Sequence, residues 1–300
     1  MKINFNNIDF EKELKLPKNI KKLNEKIFSL CKELPALQIT SNSRLLKQTI
    51  KIVENFMIDK NKFIFLGTGG SSLGARALIN ICKKKNNILF FDNIDPVYFK
   101  ESFLNVDFSS TGFVIISKSG STPETLSQFG ALIHLATKIN QSKKFFKNSL
   151  VITEYTNSPL FNIAKKNDCI LIEHEKNIGG RYSVFSNVGM VPAIIAKLDV
   201  KAIHEGAKKV INNLQKNHIL KVGQLFRYQN NLNLQSSVLM TYSDSLYYFG
   251  KWYLQLWAES IGKKNRGITP IHSIGTTDQH SQMQLYLDGP KDKFYTFITT

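Results

Sequence analysis

Phe63-Ile64-Phe65-Leu66-Gly67-Thr68-Gly69-Gly70-Ser71-Ser72-Leu73-Gly74 is a short apolar run that passes directly into a glycine-rich turn and then into a helix-length segment, Leu73 to Lys83. An aromatic and β-branched run bounded by glycine reads as a buried strand. Working outward, further short apolar runs stand at Ile88-Leu89-Phe90-Phe91, Phe113-Val114-Ile115-Ile116, Leu150-Val151-Ile152 and Cys169-Ile170-Leu171-Ile172. Helix-length segments separate them, at Thr125 to Thr137 and Pro159 to Lys166. Strands alternating with helices imply βαβ units, hence an α/β fold whose parallel sheet is covered by helices on both faces. Ile20 to Leu34 and Arg44 to Phe56 read as amphipathic helices ahead of the first strand. Beyond Val184 to Leu198, the lysine-rich span Lys208 to Lys221 reads as a helix and connector. Ser237-Val238-Leu239-Met240-Thr241 then restarts the strand pattern, and Phe294 to Thr300 alternates like another strand.

The glycine turn at Gly67–Gly74 has the geometry of a phosphate loop, because backbone N–H groups at a helix start can approach an anion. A dinucleotide site is the rival, with Asp92 at the end of the next strand as its ribose acid, yet the G-x-G-x-x-G pattern needs glycine where Ser72 stands. The Lys-Ser/Thr ending of a Walker loop is missing as well. A purely structural tight turn is the plain alternative. A second loop shifts the balance: Ser117-Lys118-Ser119-Gly120-Ser121-Thr122-Pro123-Glu124-Thr125 puts four hydroxyls and an ammonium ahead of a helix with proline at its start. One helix cap needs only one hydroxyl. Two such loops at the carboxyl ends of parallel strands point to a ligand at that edge, most plausibly a sugar phosphate. A third motif, Asn177-Ile178-Gly179-Gly180-Arg181-Tyr182-Ser183, sets an arginine directly after a double glycine.

Chemistry of another kind stands in Gln255 to Gly289, QLWAESIGKKNRGITPIHSIGTTDQHSQMQLYLDG. Glu259 lies at the C-terminal end of an aromatic helix, and His280 follows on a Gly/Thr-rich loop. A carboxylate base and an imidazole acid are what a proton-shuttling enzyme needs if the fold joins them. Trp252, Tyr253 and Trp257 around Glu259 suggest partial desolvation, which would raise its pKa. Gln255 lies one helical turn earlier on the same face.

Composition narrows the field. Three hundred residues, 42% hydrophobic, can bury one or two domain cores. The net charge of +17 is lysine rather than arginine, in runs such as Lys83-Lys84-Lys85, Lys143-Lys144 and Lys263-Lys264. The arginines are only Arg44, Arg76, Arg181, Arg227 and Arg266. Base reading in a groove relies on bidentate arginine, so a nucleic-acid partner is not expected, while a positive field would steer an anionic metabolite inward. No run reaches membrane-spanning length, and the polar start Met1-Lys2-Ile3-Asn4 has no signal-like stretch behind it, so no membrane role and a cytoplasmic location are expected. Cys31, Cys82 and Cys169 are odd in number and scattered, and read as reduced and structural. His134, His174, His204, His218, His272 and His280 show no ligand spacing, so no metal is expected. His134 is expected to pack along a helix and the others, His280 apart, to be solvated.

Four blocks in order, GTGGSSLG from Gly67, SKSGSTPET from Ser117, NIGGRYSVFSNVG from Asn177, and QLWAESIGK with GTTDQH from Gln255, carry a resemblance to the glucose-6-phosphate isomerase family. That family is built from two sugar-isomerase (SIS) domains. The resemblance implies a SIS-type, flavodoxin-like first domain over residues 41–200 after an N-terminal helical extension, 1–40. A second SIS-type domain follows over 201–300. The family's C-terminal block, with a lysine that assists ring opening, has no counterpart before Thr300, so this second domain is expected to be cut short. The resemblance assigns Gly70, Ser71, Ser117, Lys118, Ser119 and Thr122 to the phosphate and neighbouring sugar oxygens, and Gln255 to a substrate contact. Ser119 and Ser121 replace threonines found in many relatives, and serine keeps the donor. Glu259 matches the base that moves a proton between C2 and C1 through a cis-enediol. Arg181 matches the group that stabilises the enediolate. His280 matches the ring-opening acid, on a loop that in this family comes from the neighbouring subunit, which implies a homodimer. The implied reaction interconverts glucose 6-phosphate and fructose 6-phosphate, in glycolysis or gluconeogenesis, without cofactor. The second choice is a non-catalytic SIS-type regulator that binds sugar phosphates.

Overall fold

The computed structural model describes residues 20–82, 87–212 and 234–300. Residues 1–19 of the expected N-terminal extension, the lysine run from Lys83, the expected connector beyond residue 212, His218 and Arg227 lie outside the described residues. The helices are α1 (Ile20–Glu33), α2 (Pro35–Gln38), α3 (Ser43–Met57), α4 (Leu73–Ile81), α5 (Pro96–Phe103), α6 (Pro123–Lys138), α7 (Ser142–Lys147), α8 (Pro159–Lys166), α9 (Asn187–Ile195), α10 (Val200–Asn212), α11 (Tyr247–Ile261) and α12 (Gln279–Asp288). The strands are β1 (Lys62–Leu66), β2 (Ile88–Phe91), β3 (Thr111–Ile116), β4 (Ser149–Thr153), β5 (Ile170–Glu173), β6 (Ser236–Thr241), β7 (Thr269–Ile274) and β8 (Lys293–Ile298).

β1 to β5 form one parallel sheet in the order β2-β1-β3-β4-β5, the expected α/β architecture of flavodoxin-like order. Its strands are apolar on both faces because helices cover both, and the period of two divides each strand between two cores. Phe65, Val114, Ile116, Leu150 and Ile152 face one way, onto Val53 and Phe56 of α3 and Val188 and Val191 of α9. Ile64, Leu66, Phe113, Ile115 and Val151 face the other, onto Phe103 of α5, Phe129 and Leu132 of α6 and Leu160 of α8.

A second parallel sheet holds β7-β6-β8, with a smaller core of Val238, Met240 and Tyr286. The run at Phe294 joins it as β8, pairing along β6 from Ser236↔Lys293 to Thr241↔Ile298. β7 was not expected, because its sequence, TPIHSI, mixes Pro270 with polar residues. As an edge strand it tolerates a residue without an N–H. α11 crosses between the two sheets, packing on α4 of the first and β7 of the second. Two features seat it. Arg76 of α4 is bonded to Asp92 and to the Tyr248 hydroxyl, its guanidinium 4.0 Å from the Tyr248 ring centre. On the other side Gly250 lies so close to β7 that a Cβ there would stand 2.1 Å from His272 Nε2.

Expectations for three histidines need correction. His174 and His204 are buried rather than solvated, each accepting a place beside a main-chain carbonyl, of Glu175 and Phe185 respectively. Cys82 is exposed, whereas Cys169 is buried and its thiol is pushed up to about 12, chiefly by burial. His134 lies on α6 but is exposed. No described helix is long and apolar enough to cross a membrane.

Candidate active site

In the order β2-β1-β3-β4-β5 the chain leaves β1 toward one edge and returns to β3 on the other side, so a crevice opens between the carboxyl ends of β1 and β3. The two loops singled out from the sequence both lie there. After β1, Gly69–Ser71 turns once as a 3-10 helix before α4 begins. Gly69 has φ +53°, which glycine adopts without strain. Gly70 has no room for a side chain: an added Cβ would sit 2.3 Å from the carbonyl carbon of Gly180 and 2.7 Å from the Arg181 nitrogen. The first anion loop and the arginine loop thus touch backbone to backbone.

After β3 the hydroxyl loop is fastened internally. The buried Ser117 hydroxyl bonds Thr122 Oγ1 at 2.8 Å, and Ser119 Oγ accepts from the backbone N–H and hydroxyl of Ser121. Ser119 and Thr122 line the cavity, whereas Ser117 is buried and is not part of its lining. Lys118 also borders the cavity, yet its ammonium is turned aside. It donates to the carbonyls of Lys176 (2.9 Å) and Ile178 (3.0 Å) and lies 3.5 Å from the Glu154 carboxylate.

The opposite wall comes from α11 and the arginine loop. Glu259 Oε2 accepts from Arg181 Nη1 at 3.1 Å, and Glu259 Oε1 accepts from Gln255 Nε2 at 2.9 Å, one turn earlier. Arg181 Nε donates to Ser260 Oγ at 3.1 Å, which is 2.6 Å from the Tyr182 hydroxyl. Partial burial works against the Arg181 charge, but bonding to Tyr182 and Glu259 outweighs it and holds the guanidinium above its ordinary range. Burial would raise the Tyr182 phenol; its bond to Ser260 and the positive charges of Arg181 and Lys263 prevail and lower it. Trp252 donates its indole N–H to the Arg181 carbonyl at 3.1 Å. The result is a cavity of about 330 Å³ lined by Gly70, Ser71, Lys118, Ser119, Thr122, Arg181, Gln255 and Glu259, together with Thr68, Glu154 and Gly180.

Most of the residues chosen from sequence therefore converge. Thr68, Glu154, Gly180 and Ser260 were not chosen. Thr68 and Gly180 stood inside quoted motifs, and Glu154 directly follows β4, where the rule about carboxyl ends of strands would have found it. The expected desolvation of Glu259 is not met within one chain: its side chain is 49% exposed. The indole N–H groups of Trp252 and Trp257 go to the main-chain carbonyls of Arg181 and Ile268. His280 is exposed in the first turn of α12, rather than on a loop, and is not among the residues lining the cavity. Asp92, the ribose acid of a dinucleotide reading, is instead paired with Arg76, which accounts for it structurally.

Comparisons with known proteins identify the family. The family model described as phosphoglucose isomerase matches residues 51–295. The chain is 38% identical over 247 residues to a probable glucose-6-phosphate isomerase of Methanococcus maripaludis, covering 78% of this chain and 56% of that protein. It is 39% identical over 241 residues to a glucose-6-phosphate isomerase of Methanocaldococcus jannaschii, with coverage of 78% and 59%. The chain thus spans less than two thirds of the length of these curated relatives. Among solved structures, a hypothetical protein from Thermus thermophilus superposes with a TM-score of 0.83 at 26% identity, over 92% of this chain and 70% of that one. A glucose-6-phosphate isomerase from Chlamydia trachomatis shares the fold, with a TM-score of 0.74 at 23% identity over 85% of this chain and 52% of that one.

Proposed function

This chain belongs to the phosphoglucose isomerase family, and from that premise we propose that it interconverts glucose 6-phosphate and fructose 6-phosphate through a cis-enediol. The observation that carries the reading is the Glu259 carboxylate bonded to both Arg181 and Gln255 on the wall facing two anion loops. The phosphate sits against Ser119, Thr122 and the backbone of Gly70 and Ser71, where N–H and hydroxyl donors are fixed in advance. The open-chain sugar then reaches across to Glu259, which removes the C2 proton. Electrons move to O1, the enediolate charge falls to the Arg181 guanidinium, the O2 hydroxyl proton passes to O1, and the same carboxylate returns its proton to C1 as the C2 carbonyl forms. Gln255 holds one carboxylate oxygen, leaving the geometry of the other to Arg181.

A sugar-phosphate regulator would need the two loops and not the opposite wall. The joined set of Arg181, Gln255 and Glu259 favours the enzyme. Fructose 6-phosphate turnover, coupled to glucose 6-phosphate oxidation, tests it: Glu259→Gln should cut kcat by about 10²–10⁴-fold. Equal rates in the two proteins, or tight sugar-phosphate binding with no turnover in either, would remove the isomerase reading.

The ring-opening step we assign to His280 of a second subunit in a homodimer. Its exposure on α12, outside the lining of its own cavity, and the 49% exposure of the Glu259 side chain support this. Mixing Glu259→Gln with His280→Gln protein should then restore about a quarter of the wild-type sites, because each mixed dimer rebuilds one. No recovery on mixing would mean the sites are not shared. We place the protein in the cytoplasm, on the strength of three cysteines without a pairing pattern.

A further inference from the structure

The lysine of the hydroxyl loop carries an inference that rests on the isomerase reading and refines it. We propose that Lys118 is a positioning residue that tethers the arginine loop, and not a ligand of the substrate phosphate.

An ammonium has three N–H donors and no more. Two of those of Lys118 are given to the Lys176 and Ile178 carbonyls, at 2.9 and 3.0 Å, and the ammonium is ion-paired with the Glu154 carboxylate at 3.5 Å. At most one remains for a phosphate oxygen, and it lies on the side of the Glu154 charge. The Glu154 carboxylate, itself on the cavity wall, also offsets the lysine charge and repels a phosphate dianion from that corner. The two carbonyls belong to the segment that leads directly into Gly179-Gly180-Arg181. Ile178 is buried and Lys176 is exposed, so the segment is anchored at one point by packing and across the gap by the lysine. Beyond the tether, Gly180 rests against Gly70, and Arg181 reaches Glu259. Loop, tether and guanidinium are thus mechanically continuous. Losing the tether frees the loop that aims Arg181 and leaves the hydroxyls of Ser119 and Thr122 where they were.

The two roles predict opposite kinetics for Lys118→Met. A positioning role lowers kcat by about ten- to a hundredfold, as small misplacements of a catalytic group do. The KM for fructose 6-phosphate and the inhibition constant of inorganic phosphate then stay within about twofold. A phosphate ligand would instead raise the phosphate constant about tenfold or more, the loss expected of a charge-assisted hydrogen bond. The positioning role further predicts that Lys118→Met adds little in an Arg181→Lys background, since both act through one guanidinium. Two measurements need no turnover: calorimetric binding of inorganic phosphate, unchanged in the variant, and tryptic cleavage after Lys176, faster in the variant. If wild-type protein shows no turnover, the isomerase reading fails, and these two still decide the tether. Lys118→Gln, a milder change, serves if the methionine variant does not fold. Phosphate binding weakened tenfold, or cleavage unchanged in both variants, overturns the proposal.

Discussion

Gly70 shows how a single missing side chain joins two loops. Its Cα faces the Gly180 carbonyl so closely that a methyl group would fall 2.3 Å from backbone carbon. Backbone on both sides cannot rotate away, so Gly70→Ala should push the arginine loop off the cavity. We expect kcat/KM to fall about tenfold or more, with a stability loss of about 1–3 kcal/mol in chemical denaturation. An unchanged kcat/KM would show that the loops can part without consequence. The glycine itself was legible as part of a phosphate loop, but its steric partner was not, since Gly180 is 110 residues away in sequence. The same holds for Ser260 and Tyr182. A hydroxyl beside Glu259 has no distinguishing pattern; it matters because the fold brings Arg181 Nε to it. Lys118 illustrates the reverse case: a cation among hydroxyls invites a phosphate reading, while the carbonyls of Lys176 and Ile178 that hold its ammonium lie 58 and 60 residues away in sequence.

At the scale of elements, strands with continuous apolar sequence were readable, because β1, β3 and β4 are covered on both faces and must be apolar throughout. Helices with long amphipathic stripes were readable too; α8 occupies the very span expected, Pro159–Lys166. α5 was missed, although Asp95-Pro96 is a start signal: the Asp95 carboxylate caps the N–H groups of Val97 and Tyr98, and proline occupies the first turn. β7 was missed for a better reason, since nothing in TPIHSI alternates cleanly. Its packing with α11 makes a prediction. Alanine in place of glycine within a helix normally adds up to about 1 kcal/mol of stability. Gly250→Ala should do the opposite, because the new methyl meets the His272 ring, which is held by Thr241 Oγ1 at 3.0 Å. A loss of about 1–3 kcal/mol in urea denaturation is expected; a gain would mean that α11 can lift from β7 freely.

For the molecule as a whole, three buried or half-buried histidines act in one direction. Burial is the main cause that lowers His174, His204 and His272 below the ordinary 6.5. Folded, they resist protonation; unfolded, they take up protons near 6.5. The unfolded chain therefore binds more protons as pH falls, so stability is retained above about pH 6.5 and declines below it. Thermal melting at pH 7.5 and 5.5 should show a lower midpoint in acid. His204→Gln, which keeps a donor for the Phe185 carbonyl, should narrow the gap. A midpoint that rises in acid would contradict the burial of these rings. The two-sheet arrangement itself was foreseeable from the sequence, because the strand pattern restarts at Ser237. The way α11 bridges the sheets was not, since it depends on Arg76, held by Asp92 beside the first sheet, finding Tyr248 on the bridging helix. One consequence of that bridge is optical. The chain contains two tryptophans, both on the bridging helix, and their settings differ: Trp257 is enclosed and bonded to the Ile268 carbonyl, whereas Trp252 has its indole N–H on the carbonyl of Arg181, in the loop that shares its cavity wall. With Trp257 replaced by phenylalanine, the emission of a single native fluorophore would register every ligand that disturbs the arginine loop and every separation of the helix from it, with no dye attached.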